Sequence, residues 1–400
     1  MLYQTHVRIS RQALRDNIAS IRQAIGADRK MLIAVKANGY GHGAVEVSRV
    51  AEASGVDWLG VATVPEGLEL REAGIGLPIL KFSPAFPEEM EAAVRGSLAL
   101  CVCERENIRQ LEAVAASLAK PGPGASELAV RMTEEAARLT RPLAVHLKLD
   151  TGMGRIGCTP SEAPELAAFI ERECPHLRLQ GVFTHLPVSD DDEPDFTRAQ
   201  LRRFRESVDA ISAAIDRRPE LVHCSNSGAV FNYDEDWLDM VRPGIMVYGL
   251  YTGIQPESKN AAGGGITLRP ILGFYSRVSF VKKVAAGTSI GYGRTWIAER
   301  DTTIATMPAG YADGFNRLFS NKGRVLINGR SYPLAGRVCM DQSMIDLGPD
   351  SSVQVGDEVV LIGDSGDQSI SCAEWAKQLG TITYEVTCQI NPRVQRVFVE

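Results

Sequence analysis

Long apolar runs are missing from this 400-residue chain: nothing approaches the roughly 18 residues of a membrane-spanning helix. The opening residues, MLYQTHVRIS, lack a basic stretch followed by an apolar one, so no secretory leader is expected. Positive charge is not in excess either. Lys and Arg number 43 against 49 Asp and Glu, a formal net charge of −6, which argues against nucleic acid or an anionic membrane surface as a partner. The eight cysteines are scattered, and the close pair Cys101 and Cys103 is spaced CxC, which suits neither a zinc site nor a disulfide framework. They read as reduced thiols of a cytoplasmic protein, and no metal is expected. Internal repeats are absent. The glycine-rich GYGHG (39–43) is followed by no GK[ST] and has GxGxG spacing, so it is neither a Walker loop nor a dinucleotide fingerprint.

What remains is an ordinary globular composition, 44% hydrophobic and 23% charged. Residues 31–250 alternate short β-rich runs with helix-period segments. The runs are MLIAVKA (31–37), WLGVAT (58–63), PILKFS (78–83), LALCVC (98–103), AVHLKLD (144–150), LQGVFTH (179–185), ELVHCSNS (220–227) and VRPGIMVYGL (241–250). Eight strands spaced by helices predict an α/β architecture, a closed (β/α)8 barrel over residues 8–251, rather than an open sheet. The connection 104–143 carries two helical patterns parted by KPGPGAS and is expected as an outer elaboration. Residues 252–270, rich in Gly and small polar residues, read as a linker. From 268 to 400 short strands and turn signals predict a second, mostly β domain with one helical insert, SCAEWAKQLG (371–380). YQTHVRIS alternates like a strand, and residues 1–7 are candidates to pair with that domain.

In such a barrel the reactive groups sit at the C-terminal ends of the strands. Lys36 lies there on the first run, Lys148 on the fifth, His185 on the sixth, Asn226 and Ser227 on the seventh, and Arg242 with PGI (243–245) on the eighth. Singly each has a plain reading. A strand-end lysine is ordinarily a solvated rim charge, and a lone histidine a satisfied structural one. DTGMGR (150–155) also reads as a βα turn whose glycines supply positive φ. Five such ends converging on one mouth make a site.

Taken in order, AVKANGYGHG (34–43), KLDTGMGRIG (148–157), THL (184–186), NSGA (226–229), RPGIMVYG (242–249), GYGRTW (291–296), AGYADGFNR (309–317), GRVCMDQ (336–342) and TYEVTCQINPRVQR (383–396) resemble the motifs of the alanine racemases. These are fold-type III enzymes dependent on pyridoxal 5′-phosphate (PLP). The first motif alone would also suit barrel-only PLP-binding proteins; GYGRTW and CMDQ in an appended β domain single out the racemases.

The resemblance implies that Lys36 holds PLP covalently. Neighbouring cations such as Arg155 and Arg242 would favour the neutral amine that this requires. It implies Tyr40, Ser227, Gly244, Ile245 and Tyr384 as phosphate ligands, with Asn226 beside them in the cofactor site. Arg242 would face the pyridine nitrogen, with His185 holding Arg242 in place. Because arginine does not readily give up a proton, that nitrogen would stay unprotonated, and the weaker electron sink would limit side reactions. Racemisation exchanges protons on both faces of Cα, and the resemblance assigns Lys36 to one face and Tyr292 to the other. It further implies a head-to-tail homodimer whose partner subunit supplies the tyrosine.

Arg155 and the backbone at Met340 would take the substrate carboxylate. Lys148 matches a position carbamylated in many members, where an anion would orient Arg155. Tyr311, Asp341, Arg317 and Arg337 would line the corridor that admits small zwitterions.

Few positions depart from the family pattern. Gly39 stands where alanine is common, Leu186 and Pro187 replace a more usual aromatic, and 104–143 is longer than typical. The leading expectation is therefore interconversion of L- and D-alanine, supplying D-alanine for peptidoglycan. A racemase of serine, lysine or broad specificity, a PLP decarboxylase of related fold and a non-catalytic PLP homeostasis protein are the alternatives. The last needs no second base, and Tyr292 argues against it.

Overall fold

The computed structural model describes residues 3–119, 142–191, 194–251 and 265–400. The second helical pattern of the long connection (126–139), KPGPGAS (120–126) and most of the expected linker (252–264) lie outside the described residues. The chain divides into two compact units. One comprises Arg15–Gly39 and Ala44–Leu268; the other comprises Met1–Leu14, Tyr40–Gly43 and Arg269–Glu400.

Strand β1 (His6–Ser10) belongs to the second unit. The next eight build the first: β2 (Lys30–Ala34), β3 (Trp58–Val61), β4 (Ile79–Lys81), β5 (Ala99–Val102), β6 (Leu143–Lys148), β7 (Leu177–Phe183), β8 (Leu221–His223) and β9 (Met240–Val241). They form one parallel sheet in the order β8-β7-β6-β5-β4-β3-β2-β9. Between its two ends, Asp239 N–H donates to Val222 O (3.2 Å) and Arg242 N–H to Ser225 O (2.8 Å), so the sheet is a nearly closed barrel. β3, β4 and β5 are buried at every position. Helices cover one face and barrel side chains fill the other, which is why these strands read as continuous apolar runs without alternation.

The apolar runs overshoot the strands at their C-terminal ends. VRPGIMVYGL was expected to stay extended through residue 250, yet the strand stops at Val241 and Ile245–Tyr248 is a 3-10 turn with all four residues buried. Tyr248 donates its hydroxyl to Ala34 O (2.8 Å) and Asn17 its amide to Val247 O (3.1 Å), pinning the turn inside the barrel wall. Burial, not β structure, makes that run apolar.

Toward its N-terminal end the barrel is filled by Leu32, Trp58, Leu80, Ala99, Leu221 and Met240, with Phe82 and Ala144 packed on them. The next layers are polar. On β6, Ala144, His146 and Lys148 share one face by strand periodicity. Room for the His146 ring comes from Gly181, where a Cβ would lie 2.3 Å from its Nδ1.

The second unit is antiparallel apart from one pair. Its further strands are β10 (Leu272–Arg277), β11 (Phe280–Val284), β12 (Ser289–Ile290), β13 (Trp296–Ile297), β14 (Thr302–Met307), β15 (Arg324–Ile327), β16 (Arg330–Pro333), β17 (Ser343–Gly348), β18 (Glu358–Ser365), β19 (Gln368–Ile370) and β20 (Gln395–Val399). The main sheet runs β16-β15-β18-β10-β1-β20, with β19 on β18, and β1 pairs antiparallel to β10 and parallel to β20. β11-β14-β17 and β12-β13 form two smaller sheets. β17 alternates buried and half-buried residues, the signature of a strand with one wet face. The expected helix is Cys372–Leu379; a second, Thr383–Cys388, went unexpected because TYEVTC is rich in β-branched residues.

Candidate functional site

Lys36 follows β2 in a turn that few sequences adopt. Ala37, Asn38, Gly39 and Tyr40 all lie in the left-handed region, at φ 52°, 52°, 61° and 52°. Non-glycine residues there cost roughly 1–2 kcal/mol each, so the surroundings must hold them. Gly39 lowers that cost at one position. Asn38 Oδ1 accepts the Ala44 N–H (2.9 Å), and Glu66 Oε1 accepts the Ala37 N–H (2.7 Å). The same carboxylate closes the capping box of helix Val64–Glu72, its Oε2 taking the N–H groups of Ala62 (2.8 Å) and Thr63 (3.1 Å). Lys36 Nζ stands 6.0 Å from the centre of the Phe82 ring.

Lys148 and Arg242 share a second ring. Phe183, at the end of β7, lies 5.3 Å from Lys148 Nζ and 5.5 Å from the Arg242 guanidinium carbon. Burial lowers the pKa of Lys148, and the charges of Arg155 and Arg242 add to that effect. Arg242 is buried, which pulls its pKa down to about 10. It is held by three neutral acceptors: Nη1 meets His223 Nδ1 at 3.0 Å, while Nη2 donates to Thr184 O (2.7 Å) and Cys224 O (3.0 Å).

His223, not the expected His185, is thus the histidine in hydrogen-bond contact with Arg242. His185 follows β7 by two residues and points its strand end at a crowd of charge. Burial, then Arg242, Arg155, Lys148 and Lys36, hold its pKa well below the usual histidine value. The largest charges acting on it are therefore all positive. Arg155 is exposed at the end of the DTGMGR loop. Asp150 organises that loop by accepting the N–H groups of Gly152 (2.9 Å) and Gly154 (3.0 Å). Burial pushes the Asp150 carboxyl up, but the backbone N–H groups outweigh it and leave the pKa lowered.

After β8 the chain turns into helix Ser227–Asn232. Asn226 caps it, its Oδ1 accepting from Ala229 N–H (3.0 Å) and Ser189 Oγ (2.7 Å), while its Nδ2 donates to Leu186 O (2.9 Å). Leu186 is buried and Pro187 exposed. Ser227 Oγ accepts the Gly244 N–H (2.8 Å), and Ile245 opens the 3-10 turn beside it. A hydroxyl and adjacent backbone N–H groups, close in the chain to the buried Arg242, are a donor set suited to phosphate.

In the β-rich unit the remaining candidates fall into two groups. Tyr40 is buried, and its ring centre lies 5.9 Å from that of Tyr384. Burial, and then Tyr384, raise its pKa. Arg396 Nε fixes the chain there by donating to Gly41 O (3.0 Å). The second group joins two loops: Tyr311 N–H donates to Cys339 O and Ala312 N–H to Met340 O, both at 3.0 Å. Asp341 pairs with Arg393 Nη2 (2.8 Å), whose Nε reaches buried Asp313 (2.8 Å), an anchor that the motifs contained without disclosing its role. Arg317 lies close enough to Cys339 for its charge to act on the thiol. Tyr292 sits in the turn Tyr292–Arg294, beside Arg337, which a Cβ on Gly293 would approach to 3.2 Å. Its side chain is 71% exposed, and Met340 (53%) and Tyr311 (42%) are exposed too.

No disulfide joins any of the eight cysteines. Among the described residues no helix is long and apolar enough to cross a membrane, and no three His, Cys, Asp or Glu side chains are grouped to hold a metal ion.

Comparison with known proteins covers nearly the whole chain. Residues 9–252 match the family model described as alanine racemase, N-terminal domain, and residues 271–398 match alanine racemase, C-terminal domain. The alanine racemase of Cutibacterium acnes is 46% identical over 397 residues, covering 99% of this chain and 98% of that protein. The alanine racemase of Chlorobaculum tepidum is 42% identical, covering 98% and 94%. Among solved structures, alanine racemase of Clostridium difficile 630 superposes with a TM-score of 0.88 at 34% identity, covering 100% of this chain and 97% of that one.

Proposed function

Because the chain belongs to the alanine racemase family, we propose that its barrel-end residues bind PLP through Lys36 and that Lys36 and Tyr292 exchange the Cα proton of alanine on opposite faces. The observation that carries this reading is the cluster of Lys36, Lys148, Arg155 and Arg242 around His185, whose charge suits a phosphorylated cofactor and a substrate carboxylate. When bound, the cofactor supplies a conjugated ring that accepts electrons from Cα and so acidifies its proton.

The protein's own groups do the rest. Ser227, Gly244 and Ile245 would hold the phosphate, with Asn226 fixing the helix start that presents Ser227, and Tyr40 and Tyr384 would be further phosphate ligands. Arg242 would donate to the ring nitrogen and leave it unprotonated. His185 stands among the cations. Arg155 and the Met340 N–H hold the substrate carboxylate, which orients Cα toward the two bases. Lys36, as a neutral amine, takes the proton from one face while the Tyr292 hydroxyl gives one to the other; the reverse reaction exchanges the roles. Tyr311 and Asp341 sort small zwitterions on entry.

Tyr292, Tyr311 and Met340 are exposed in the single chain, as are Leu318 (64%) and Ile382 (61%) of the same unit. Such apolar exposure supports a homodimer, arranged head to tail so that each tyrosine serves the partner's lysine. The product D-alanine serves peptidoglycan synthesis in the cytoplasm.

Lys148 is proposed to be carbamylated: its neutral Nζ forms a bond to the carbon of CO2 and releases a proton. Burial, which lowers its pKa, supplies the neutral amine, and the resulting anion relieves the repulsion from Arg155 and Arg242. Intact-mass measurement of gently handled protein is expected to show the added mass of one CO2, absent from a Lys148→Arg variant. Equal masses relative to sequence would remove this assignment.

The function itself is tested by incubating PLP-loaded protein with L-alanine in D2O. D-alanine carrying deuterium at Cα is expected. Deuterium without inversion would leave only one working base and overturn the two-face assignment, and no exchange would move the reading to another amino acid.

A further inference from the structure

A hydrogen-bonded line leaves the site and runs inward through the barrel. Arg242 Nη1 meets His223 Nδ1 at 3.0 Å, and His223 Nε2 meets His146 Nδ1 at 2.9 Å. Both histidines are buried at 0% exposure. Beyond them, His146 Nε2 and Gln180 Oε1 are each buried without a hydrogen-bond partner among the described residues, with the Gln180 amide near the His146 ring.

Only one direction of donation fits. Arginine has donors and no acceptor, so His223 Nδ1 must present a lone pair. A neutral His223 then carries its proton on Nε2 and donates it to His146 Nδ1. His146 in turn carries its proton on Nε2, and the nearby Gln180 carbonyl oxygen is an acceptor without a donor. Neither ring can escape by charging: burial, then the Arg242 charge, hold His223 well below the ordinary histidine value, and burial pulls His146 down to about 3.

Packing holds the rings to this line. His223 stacks on Phe183 with centres 5.0 Å apart and planes within 2°. His146 meets Trp58 edge-on at 5.4 Å and fills the space left by Gly181.

We propose that His146 acts through His223 as a positioning residue for Arg242, accepting the Nε2–H of His223 and so holding that ring with its Nδ1 lone pair aimed at the guanidinium. The proposal rests on the role of Arg242 given above and names the support behind it. Without an acceptor at His146, the buried Nε2–H of His223 is left unpaired. Arg242 still claims the lone pair at Nδ1, so the tautomer is kept and the ring tilts to bring its Nε2–H to another acceptor. The guanidinium follows the tilted ring, and its aim at the cofactor shifts with it.

The test reads nitrogen resonances of protein labelled with 15N-histidine, which has six histidines to assign. In wild type, cofactor-free or loaded, His223 and His146 are both expected as neutral Nε2–H tautomers; a His223 protonated on Nδ1 overturns the proposal. His146→Leu removes the acceptor, whereas His146→Asn returns a carbonyl oxygen near the place of Nδ1. His146→Leu is expected to keep the Nε2–H tautomer of His223 but shift its Nε2 resonance as that hydrogen bond is lost, and to lower kcat about tenfold with KM nearly unchanged, the loss that one unpaired buried donor predicts. His146→Asn is expected to restore both. A folded His146→Leu that keeps wild-type His223 resonances overturns the proposal, whatever its kcat. Should that variant fail to fold, the wild-type tautomers and His146→Asn decide. Loss of the function reading alone would leave the tautomers as stated, so the two failures are distinguishable.

Discussion

Mixing two inactive variants, Lys36→Ala and Tyr292→Phe, is expected to restore about a quarter of the wild-type alanine racemisation rate. Each variant alone should lose about 10²–10⁴-fold, the usual contribution of a positioned acid or base. In a mixed head-to-tail dimer, one site combines both defects and the other combines the intact lysine of one chain with the intact tyrosine of its partner. Random exchange makes about half the dimers mixed, and half of their sites are sound. If the tyrosine served its own chain's lysine, every site would carry one defect and mixing would restore nothing. The measurement is activity after co-refolding or co-expression, with cofactor absorbance confirming that Tyr292→Phe still loads PLP. Activity retained by Tyr292→Phe alone would instead remove the second base from the mechanism.

The buried histidines make a second large effect, on stability. His146 and His223 are fully buried and their pKa values are lowered, by burial first. The unfolded chain therefore takes up protons as pH falls below about 6.5 while the folded chain does not. The stability contributed by a depressed pKa is complete above the unfolded value and is lost as pH falls through the window beneath it. Each neutral histidine costs about 1.4 kcal/mol per pH unit there, so the pair removes about 3 kcal/mol between pH 7.5 and 5.5. His185 shifts in the same direction. Ordinary carboxylates titrate lower and contribute little in this interval. Urea unfolding at both pH values, at fixed protein and PLP concentrations, should show the loss, with a shallower pH dependence in His146→Asn. Stability that held level or rose toward pH 5.5 would mean that these rings protonate inside the fold.

The barrel was legible because its strands are buried on both faces over most of their length, so each left an apolar run that periodicity could separate from the helices. The runs named the strands but not their ends, since the turn Ile245–Tyr248 is as buried as the strand before it. Lys36, Lys148 and Arg242 were legible as charges in apolar context at strand ends. His223 stood within one of the quoted runs and received no role. It faces the interior one layer below the mouth, and attention to strand ends passes over such a residue. Glu66 was invisible for a different reason: its partner is the N–H of Ala37, which becomes available only in a left-handed turn that no local pattern announces. Residues that touch a ligand carry their chemistry in their type, whereas those that aim them carry it in a geometry that forms only on folding.

That carboxylate has a dynamic consequence. One side chain closes the first turn of helix Val64–Glu72 and restrains the turn that carries Lys36. When the helix end frays, the same event loosens the lysine; when the lysine is held, the helix end is held too. The placement of Lys36 and the closing of that helix start are therefore coupled, and changes on the outer wall of the barrel can reach the strand end without passing through its interior.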